Sequence, residues 1–435
     1  MQVFKKNSQF IFIIFIWLLS GYGGPLVYAV IPLSLFFMKR RNMYMELLIG
    51  FFIILTLSDS RQDSLQWAVN AKNEYIVILA VFLFFDRKSF QPFSYFYQRF
   101  IPFFLFAFLS ICFTPYEIIG LSLQKTFSYL LLLLVVSNYV LRCHKDHGAD
   151  FYKTLIYAGT CFLLVGFLAK FVNHYQAYLE GRFRGMLGNP NGLGIYTLLL
   201  FLTFSVVLEI YPKLFESWEK WVIYISIFLS LLMSDSRNSI FAILIFIFFS
   251  YFYKLSPYLG FSLFLVFIVV YQYISDNLVF IIEGLGLNDY LRVQTIGNAS
   301  GRYIAWNFAK DHIRQSIWIG KGFEYTNYMF DESSDWLNRL GHQGNAHNTY
   351  LTLWLDTGFF GLISYVWAFL SSFIQASKKS RLAIPVMYAV IFSTVFESWL
   401  TASLNPFTIQ LFVILSILTS EQIIPTKAPA LIPVQ

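Results

Sequence analysis

The sequence predicts an all-α polytopic membrane protein with about 12–14 transmembrane helices and one large helical periplasmic loop. Its 435 residues are 57% hydrophobic and 20% aromatic, but only 13% are charged, whereas a soluble chain carries roughly 25% charged residues. Because about 20 apolar residues span a bilayer, this length allows a dozen or more spans and leaves no room for a large soluble domain. The composition therefore excludes a soluble enzyme, a disordered tail and a secreted disulfide scaffold.

Apolar runs mark the candidate spans, and several of them are shorter than a full span. The run at 75–85 is the weakest of them. If any two adjacent runs do not span the membrane, every later loop still falls on the same side of it. The runs fall at 10–22, 25–38, 43–57, 75–85, 100–113, 118–140, 155–172, 193–211, 221–233, 240–253, 258–274, 350–374, 382–400 and 407–418.

The basic clusters orient these spans, because loops rich in Lys and Arg stay on the cytoplasmic side. We interpret the net charge of +7 as a consequence of this topology and not as a sign of nucleic-acid binding. The first apolar run, behind two lysines, also resembles a signal peptide, but no small-residue cleavage site follows it, which favours an uncleaved span. With the N-terminus inside, alternation places the basic clusters at 5–6, 39–41, 87–88, 142–145, 213–220, 254 and 378–381 inside.

The predicted domain organisation separates two groups of spans by one long outer loop. A loop of this length in a compact protein is usually functional or disordered, and its Trp and Tyr content argues against disorder. Its helical pattern consists of Ser300 as N-cap, followed by Arg302, Trp306, Ala309 and Ile313 on one face, which predicts an amphipathic helix against the membrane domain. The predicted units are 1–274 (about 11 spans), 275–346 (periplasmic loop), 347–420 (C-terminal spans) and 421–435 (cytoplasmic tail).

Polar stretches interrupt the apolar chain at 181–192, 234–239, 300–302 and 345–350, all on the predicted outer side. Each precedes the start of a helix, where unpaired N–H groups and the helix dipole favour an anion. Arginines in these stretches suit a phosphorylated ligand, because a guanidinium grips phosphate through two donors. An arginine near a membrane interface can instead extend to lipid headgroups, and this explanation stays open for each arginine taken alone.

His347 and Glu397 are the candidate groups for proton chemistry. An imidazole can accept a proton at neutral pH, and His342 and His312 in the same loop compete for this role. Glu397 lies near the outer end of the run at 382–400, where it pairs with one of the arginines, or helps to position His347, or lies exposed at the interface.

No metal and no cofactor are expected from the sequence. It has no Asp-x-Asp pair, no His/Cys/Asp cluster with metal-ligand spacing and no glycine-rich nucleotide loop. The three cysteines are too few and too scattered for a disulfide framework or a metal site.

These stretches resemble the O-antigen ligase and O-antigen polymerase superfamily of bacterial membrane glycosyltransferases, over about residues 181–410. The order, spacing and sidedness of the pieces together carry the resemblance. The N-terminal half matches only as apolar spans, although it contains a second Ser-Asp-Ser-Arg stretch that ends at Arg61. The pieces are Arg182-x-Arg184-Gly185-x-x-Gly188-Asn189-x-Asn191, Ser234-x-Ser236-Arg237, Ser300-Gly301-Arg302 with Trp306 and Gly320-x-Gly322, His347-Asn348-x-Tyr350-Leu351 with Gly358-x-x-Gly361, and Glu397 with Asn405-Pro406.

The resemblance implies transfer of a glycan from undecaprenyl diphosphate to a sugar hydroxyl at the periplasmic face of the bacterial inner membrane. The expected reaction is metal-independent and inverting, and the expected partners are the lipid-linked donor, a sugar or lipid A-core acceptor and membrane lipids, without nucleic acid. Arginines would stabilise the departing diphosphate and His347 would accept the proton of the acceptor hydroxyl. The diphosphate-binding candidates are Arg184, Arg237 and Arg302, and the supporting candidates are Arg182, Asn191, Asn348, Glu397 and Arg61.

Two reactions within this superfamily differ only in the acceptor. A ligase attaches the glycan to lipid A-core, which is the reading we favour, and a polymerase adds it to another lipid-linked repeat. The alternative from another class is a polysaccharide transporter or flippase, which would place its key polar residues near the bilayer midplane in broken helices. A purely structural protein gives no reason for Arg and His at several helix starts on one side.

Overall fold

The computed structural model describes residues 8–276, 302–342 and 344–424. It is 79% helical, and its described residues contain one two-stranded antiparallel hairpin, in which Tyr178 lies opposite Phe183. The predicted all-α fold is therefore confirmed. The proposed N-cap Ser300, the two N-terminal lysines and residues 425–435 of the predicted tail lie outside the described residues.

The first half of the chain forms helices joined by short turns, and it ends in the small hairpin. Its elements are α1 (Ser8–Tyr22), α2 (Val27–Arg40), α3 (Tyr44–Ser58), α4 (Trp67–Phe85), α5 (Ile101–Ser110), α6 (Ile119–His147), α7 (Ala149–Val172), the single turn α8 (His174–Ala177), β1 (Tyr178–Leu179) and β2 (Arg182–Phe183).

The second half contains long helices and a group of shorter ones between them. Its elements are α9 (Pro190–Ile210), α10 (Ser217–Ser234), α11 (Arg237–Leu255), α12 (Pro257–Asp276), α13 (Arg302–Ile313), α14 (Tyr325–Glu332), α15 (Ser334–Arg339), α16 (Thr349–Ser377), α17 (Ala383–Phe396) and α18 (Pro406–Thr419).

Seven helical segments within the described residues are long and apolar enough to cross a membrane, and five shorter apolar helices accompany them. This confirms a polytopic membrane protein. The weakest predicted run, 75–85, belongs to a much longer helical segment, Asp63–Phe85. The sequence pattern shortened it because the first turns of α4 carry Asn70, Lys72 and Glu74.

Two of the short apolar helices lie at the centre of the bundle. In α3, 12 of 15 residues are buried, and in α18, 13 of 14 are buried. Both are apolar around their whole circumference, which is the pattern of a helix enclosed by other helices. At 14 or 15 residues they are shorter than the roughly 20 residues of a full span, and the longer α6 and α9 pack beside them.

The basic clusters share one end of the bundle. Lys39 at the end of α2 pairs with Asp86 after α4 (3.1 Å), and Arg381 before α17 pairs with Glu209 in α9 (3.1 Å). Lys379 donates to the carbonyl oxygen of Thr419, the last residue of α18 (2.8 Å). The helix ends that the sequence assigned to one side of the membrane therefore lie together in the fold.

Asparagine caps define helix starts at the opposite end. Oδ1 of Asn189, Asn348 and Asn405 accepts backbone N–H groups from the first turns of α9, α16 and α18. Two of these helices begin with proline, which lacks the N–H that would otherwise be unsatisfied there. The Asn-Pro and His-Asn stretches thus fix where three helices begin at this end of the bundle.

The long helix α16 is broken at Gly358, whose φ of 78° and ψ of 178° are not helical. The loop segment 317–322 fills the break. The Lys321 N–H donates to the Leu355 carbonyl (3.1 Å), and the Phe359 N–H donates to the Ile317 carbonyl (2.9 Å). Backbone groups freed by the break are satisfied in this way, and the loop is fastened to the membrane helix.

The helices α13, α14 and α15 form a small hydrophobic core of their own against α16. Ala305, Ala309 and Ile313 are buried on one face of α13, which agrees with the predicted amphipathic pattern. Trp306, on the neighbouring part of the helix, donates from Nε1 to the Ala346 carbonyl (3.0 Å). This contact brings the start of α13 next to the start of α16.

Candidate active site

The Glu397 carboxylate joins three distant parts of the chain. The sequence placed Glu397 inside a span. In the structure it instead follows the last residue of α17, in an extended conformation. Its side chain is only 11% exposed. One oxygen accepts Nη2 of Arg302 (3.1 Å) and Nδ2 of Asn191 (2.9 Å), and the other lies 3.4 Å from Nδ1 of His347. We call Asn191, Arg302, His347 and Glu397 the Glu397 cluster.

His347 occupies a strained backbone position between the loop and α16. Its φ of 44° lies in the left-handed region, and its N–H donates to Oδ1 of Asn345 (3.0 Å). Such strain at a non-glycine residue is common at functional sites. Since Nδ1 faces the Glu397 carboxylate, a proton on Nδ1 is stabilised there and Nε2 is left as the proton acceptor. Nε2 lies beside Gly344, where a Cβ would come within 3.2 Å of it.

Arg302 is the first described residue of α13, and the carboxylate holds its guanidinium in place. The side chain is 24% exposed, and the guanidinium lies 5.7 Å from the centre of the Phe396 ring. Among the described residues, Glu397 is its one hydrogen-bond partner. A guanidinium has five N–H donors, so Arg302 can hold Glu397 and an anionic ligand at the same time.

Arg182 supports the cluster through Asn191. Its guanidinium donates to the Ser234 carbonyl (2.9 and 3.1 Å), to the Asp235 carbonyl (3.0 Å) and to Oδ1 of Asn191 (2.9 Å). These carbonyls belong to the C-terminal end of α10, where a cation is favourable. Asn191 in turn donates to Glu397, so the hairpin, the end of α10 and the carboxylate are connected by consecutive hydrogen bonds.

Residues 222–366, one third of the chain, match the sequence profile of a family described as O-antigen ligase. Over this segment the chain is similar to the O-antigen ligase and polymerase superfamily. No curated protein matches the chain. The superfamily comprises membrane enzymes of the glycosyltransferase type, whose partners are lipid-linked glycans and sugar acceptors.

The matched O-antigen ligase segment contains Arg302 and His347 but not the whole cluster. Asn191 precedes the matched segment, and Glu397 follows it, at the end of α17. The Glu397 cluster therefore includes side chains from outside the matched residues.

Arg237 and Asn348 lie at helix starts at the same end of the bundle. Arg237 is the exposed first residue of α11, and it has no hydrogen-bond or ion-pair partner among the described residues. The next residue, Asn238, donates to the Ser393 carbonyl (3.1 Å) and thereby ties α11 to α17. Asn348 uses its side chain to cap α16 and so orients the turn that carries His347.

Arg184 lies apart from the Glu397 cluster, next to Arg61. It donates to the carbonyls of Gln176 (2.9 Å) and Gly188 (3.2 Å). Burial and the neighbouring Arg61 guanidinium both lower the pKa of Arg184. The adjacent Asp59 carboxylate accepts the Gly188 N–H (3.1 Å). Burial raises the pKa of Asp59, against the opposing effect of this hydrogen bond and of nearby positive charges.

The competing histidines occupy different surroundings. His312 lies in α13 with Nδ1 2.9 Å from the Phe308 carbonyl, and no contact joins it to Glu397. His342 is buried with its ring centre 6.0 Å from that of His347. His347 contacts the Glu397 carboxylate directly, with Nδ1 3.4 Å from one of its oxygens.

Sequence reasoning did not single out Asn345, Thr349 and Ser398, which hold the two sides of the site together. Thr349 donates to the Glu397 carbonyl (2.9 Å), and Ser398 donates to Oδ1 of Asn345 (3.3 Å). Their only signal in the sequence was their position next to His347 and Glu397. No group of three His, Cys, Asp or Glu side chains in the described parts of the chain is arranged to hold a metal ion.

Proposed function

We propose that the protein transfers a glycan from undecaprenyl diphosphate to a sugar hydroxyl at the periplasmic face of the bacterial inner membrane, as an O-antigen ligase acting on lipid A-core. The observation that carries this proposal is the Glu397 carboxylate, which orients an imidazole and a guanidinium side by side. A base for the acceptor and a cation for the leaving diphosphate are the two groups that an inverting transfer needs.

In the proposed reaction Nε2 of His347 accepts the proton of the acceptor hydroxyl. The hydroxyl oxygen forms a bond to the anomeric carbon while the bond from that carbon to the diphosphate oxygen breaks. The electron pair leaves with undecaprenyl diphosphate, and Arg302 with Arg237 stabilises the charge that develops there. Glu397 stabilises the imidazolium that results.

The charge on the leaving group is assigned to arginines, and no metal ion takes part in the proposed reaction. Arg302 is held by Glu397 before the substrate arrives, so little reorganisation accompanies the reaction. Arg237 is exposed at a helix N-terminus, where an anion is electrostatically favoured.

The first test measures glycan transfer by the full-length chain in liposomes that contain a lipid-linked glycan and an acceptor. Replacement of Arg302 by Ala should lower the transfer rate roughly 10–100-fold, since one charge-assisted hydrogen bond contributes about 1.5–3 kcal/mol. Arg302→Lys should rescue only part of this loss, because a lysine lacks the two-pronged donor geometry. Arg339→Ala, at an exposed position of α15, is the matched control and should transfer normally. Equal rates for Arg302→Ala and Arg339→Ala would exclude the proposed role of Arg302.

A second test separates the two acceptors. After deletion of the gene, a ligase defect should leave long glycan chains on undecaprenyl diphosphate, whereas a polymerase defect should leave single repeats. The length of the accumulated lipid-linked glycan, measured by mass spectrometry, decides between them. Single repeats alone would show that the ligase assignment is wrong and would leave the polymerase assignment in its place.

A further inference from the structure

Two pairs of basic residues lie where α2 and α4 end, at the end of the bundle opposite the Glu397 cluster. Lys39, in the last turn of α2, pairs with Asp86, which directly follows α4 (3.1 Å). This ion pair brings together the exposed residues that come next in the two chain segments. These residues, which we call the basic patch, are Arg40 and Arg41 after Lys39, and Arg87 and Lys88 after Asp86.

The acidic groups at this end of the bundle do not neutralise the basic patch. Asp86 binds Lys39 and accepts the Tyr44 hydroxyl (3.2 Å), and Asp146 pairs with Arg142 (2.7 Å). In residues 39–46, 86–88 and 142–146 together, seven Lys and Arg side chains face three carboxylates. In the described part of the chain, no side chain of the basic patch has a hydrogen-bond or ion-pair partner. A net positive charge is therefore left at this surface.

Aromatic rings hold two guanidinium groups of the basic patch in place. Arg41 lies 5.5 Å from the centre of the Phe37 ring, and Arg87 lies 5.4 Å from the centre of the Phe93 ring. A ring attracts a guanidinium through its face and accepts no conventional hydrogen bond from it. The N–H donors of both arginines consequently remain available for phosphate oxygens.

The helix faces that lead to the basic patch are apolar and exposed. Leu33 and Phe36 form this face on α2, and Phe84 and Phe85 form it on α4. The two helices pack against each other through Phe36 and Phe82, whose ring centres lie 5.2 Å apart. In a bilayer such faces contact acyl chains, and basic residues at the ends of the helices lie at the level of the phospholipid headgroups.

We propose that the basic patch binds a phospholipid with two phosphate groups, of the cardiolipin type, whose acyl chains lie along α2 and α4. Two neighbouring basic side chains suit one phosphate, because each adds charge-assisted hydrogen bonds. The basic patch offers two such places, one on each side of the Lys39–Asp86 ion pair, and a phospholipid with one phosphate fills only one of them. Binding of this lipid does not depend on the proposed function, because the Glu397 cluster lies at the other end of the bundle.

The test measures lipid binding to the full-length chain in detergent by native mass spectrometry, with cardiolipin or phosphatidylglycerol added. The wild-type chain should bind one cardiolipin, and it should bind phosphatidylglycerol more weakly. The double variant Arg40→Gln with Arg41→Gln and the double variant Arg87→Gln with Lys88→Gln should each bind cardiolipin about 25-fold more weakly. This estimate assigns a factor of roughly five to each basic residue near an anionic headgroup.

Lys213→Gln with Lys378→Gln is the matched control. Both lysines are exposed at the same end of the bundle but follow other helices, α9 and α16, so the control removes the same charge without touching the basic patch. It should bind cardiolipin as the wild-type chain does. An equal loss in the control would overturn the proposal, since binding would then follow the overall charge of the protein.

Two further results would also overturn the proposal. The first is a wild-type chain that binds no cardiolipin, or one whose affinity neither double variant lowers. The second is a wild-type chain that binds two phosphatidylglycerol molecules as tightly as cardiolipin, with each double variant losing one of them, because the two basic pairs would then act separately. Since all four residues of the basic patch are exposed, the variants should fold, and equal midpoints of unfolding in detergent verify this.

Discussion

Replacement of His347 by Ala is expected to lower the rate of glycan transfer roughly 10²–10⁴-fold, which is the usual contribution of a positioned general base. In the proposed reaction the imidazole is the only group in contact with Glu397 that can accept the proton of the acceptor hydroxyl. The rate is measured with the liposome assay at equal amounts of folded protein.

Glu397→Gln tests whether the carboxylate acts through His347. The amide has nearly the same shape, but it cannot stabilise an imidazolium, so transfer should fall about 10²-fold or more. Because both groups serve one step, the variant that lacks His347 and Glu397 together should be little slower than His347→Ala alone. Additive losses, with each variant multiplying the effect of the other, would show that Glu397 has a separate role.

His312→Ala is the matched control for this prediction. It removes a histidine of the same loop whose ring contacts the Phe308 carbonyl instead of Glu397. Normal transfer by His312→Ala and normal transfer by His347→Ala would together exclude the proposed mechanism. A loss in both variants would indicate damage to the loop, which a lowered midpoint of unfolding in detergent would reveal.

The sequence predicted the helical architecture well because burial in a membrane depends mainly on hydrophobicity. It misjudged α4, where polar residues fall inside a helix. Lys72 donates to the Leu404 carbonyl (3.1 Å) and Asn70 donates to the Tyr28 hydroxyl (3.1 Å). These partners are distant in the chain, so no local pattern could reveal them; the Lys72 contact is partly buried, whereas that of Asn70 is exposed.

The arginines of the site show a second limit of sequence reasoning. The stretch Arg182-x-Arg184 predicted both residues, with Arg184 as the ligand-binding one. Strand alternation would put both side chains on one face, but β2 ends at Phe183, so Arg184 follows the strand and its side chain takes a different direction. Arg182 is the one connected to the Glu397 cluster, and Arg184 lies with Arg61. The same limit applies to Glu397, whose partners come from three separate segments.

The break in α16 had only a Gly-x-x-Gly signal in the sequence, which the resemblance included without a physical reason. The structure supplies that reason, because the backbones of segment 317–322 and of α16 are in contact at the break. A Cβ at Gly358 would lie 2.3 Å from the Trp318 carbonyl oxygen, and a Cβ at Gly320 would lie 2.4 Å from that of Asp356. Only glycine at both positions lets the loop enter the break.

Gly358→Ala is therefore expected to destabilise the protein by about 3–5 kcal/mol. The φ and ψ of Gly358 belong to a region that is essentially restricted to glycine, at a cost of roughly 1–3 kcal/mol, and overpacking adds a similar amount. The atoms in the way are backbone atoms of residues 318–320, so they cannot move aside as a flexible side chain would. This loss is a large fraction of the roughly 5–15 kcal/mol that stabilises a typical domain.

The midpoint of unfolding in detergent measures this effect, and Gly120→Ala is its matched control. Gly120 lies in α6 with nothing within 4 Å of its added Cβ, so alanine there should leave the midpoint unchanged or raise it slightly. Equal midpoints for the two variants would contradict the role assigned to the break.

Gly358→Ala should also slow glycan transfer, although the residue contacts no group of the Glu397 cluster. The break holds segment 317–322 against α16, and Asp356 next to it accepts the N–H and the hydroxyl of Thr326 (2.9 and 2.7 Å). The first turn of α16 follows His347, and α13, which leads into this segment, begins at Arg302. If the break loosens, the distance between His347 and Arg302 changes. The transfer rate of the folded fraction of Gly358→Ala should therefore fall, whereas that of Gly120→Ala should not.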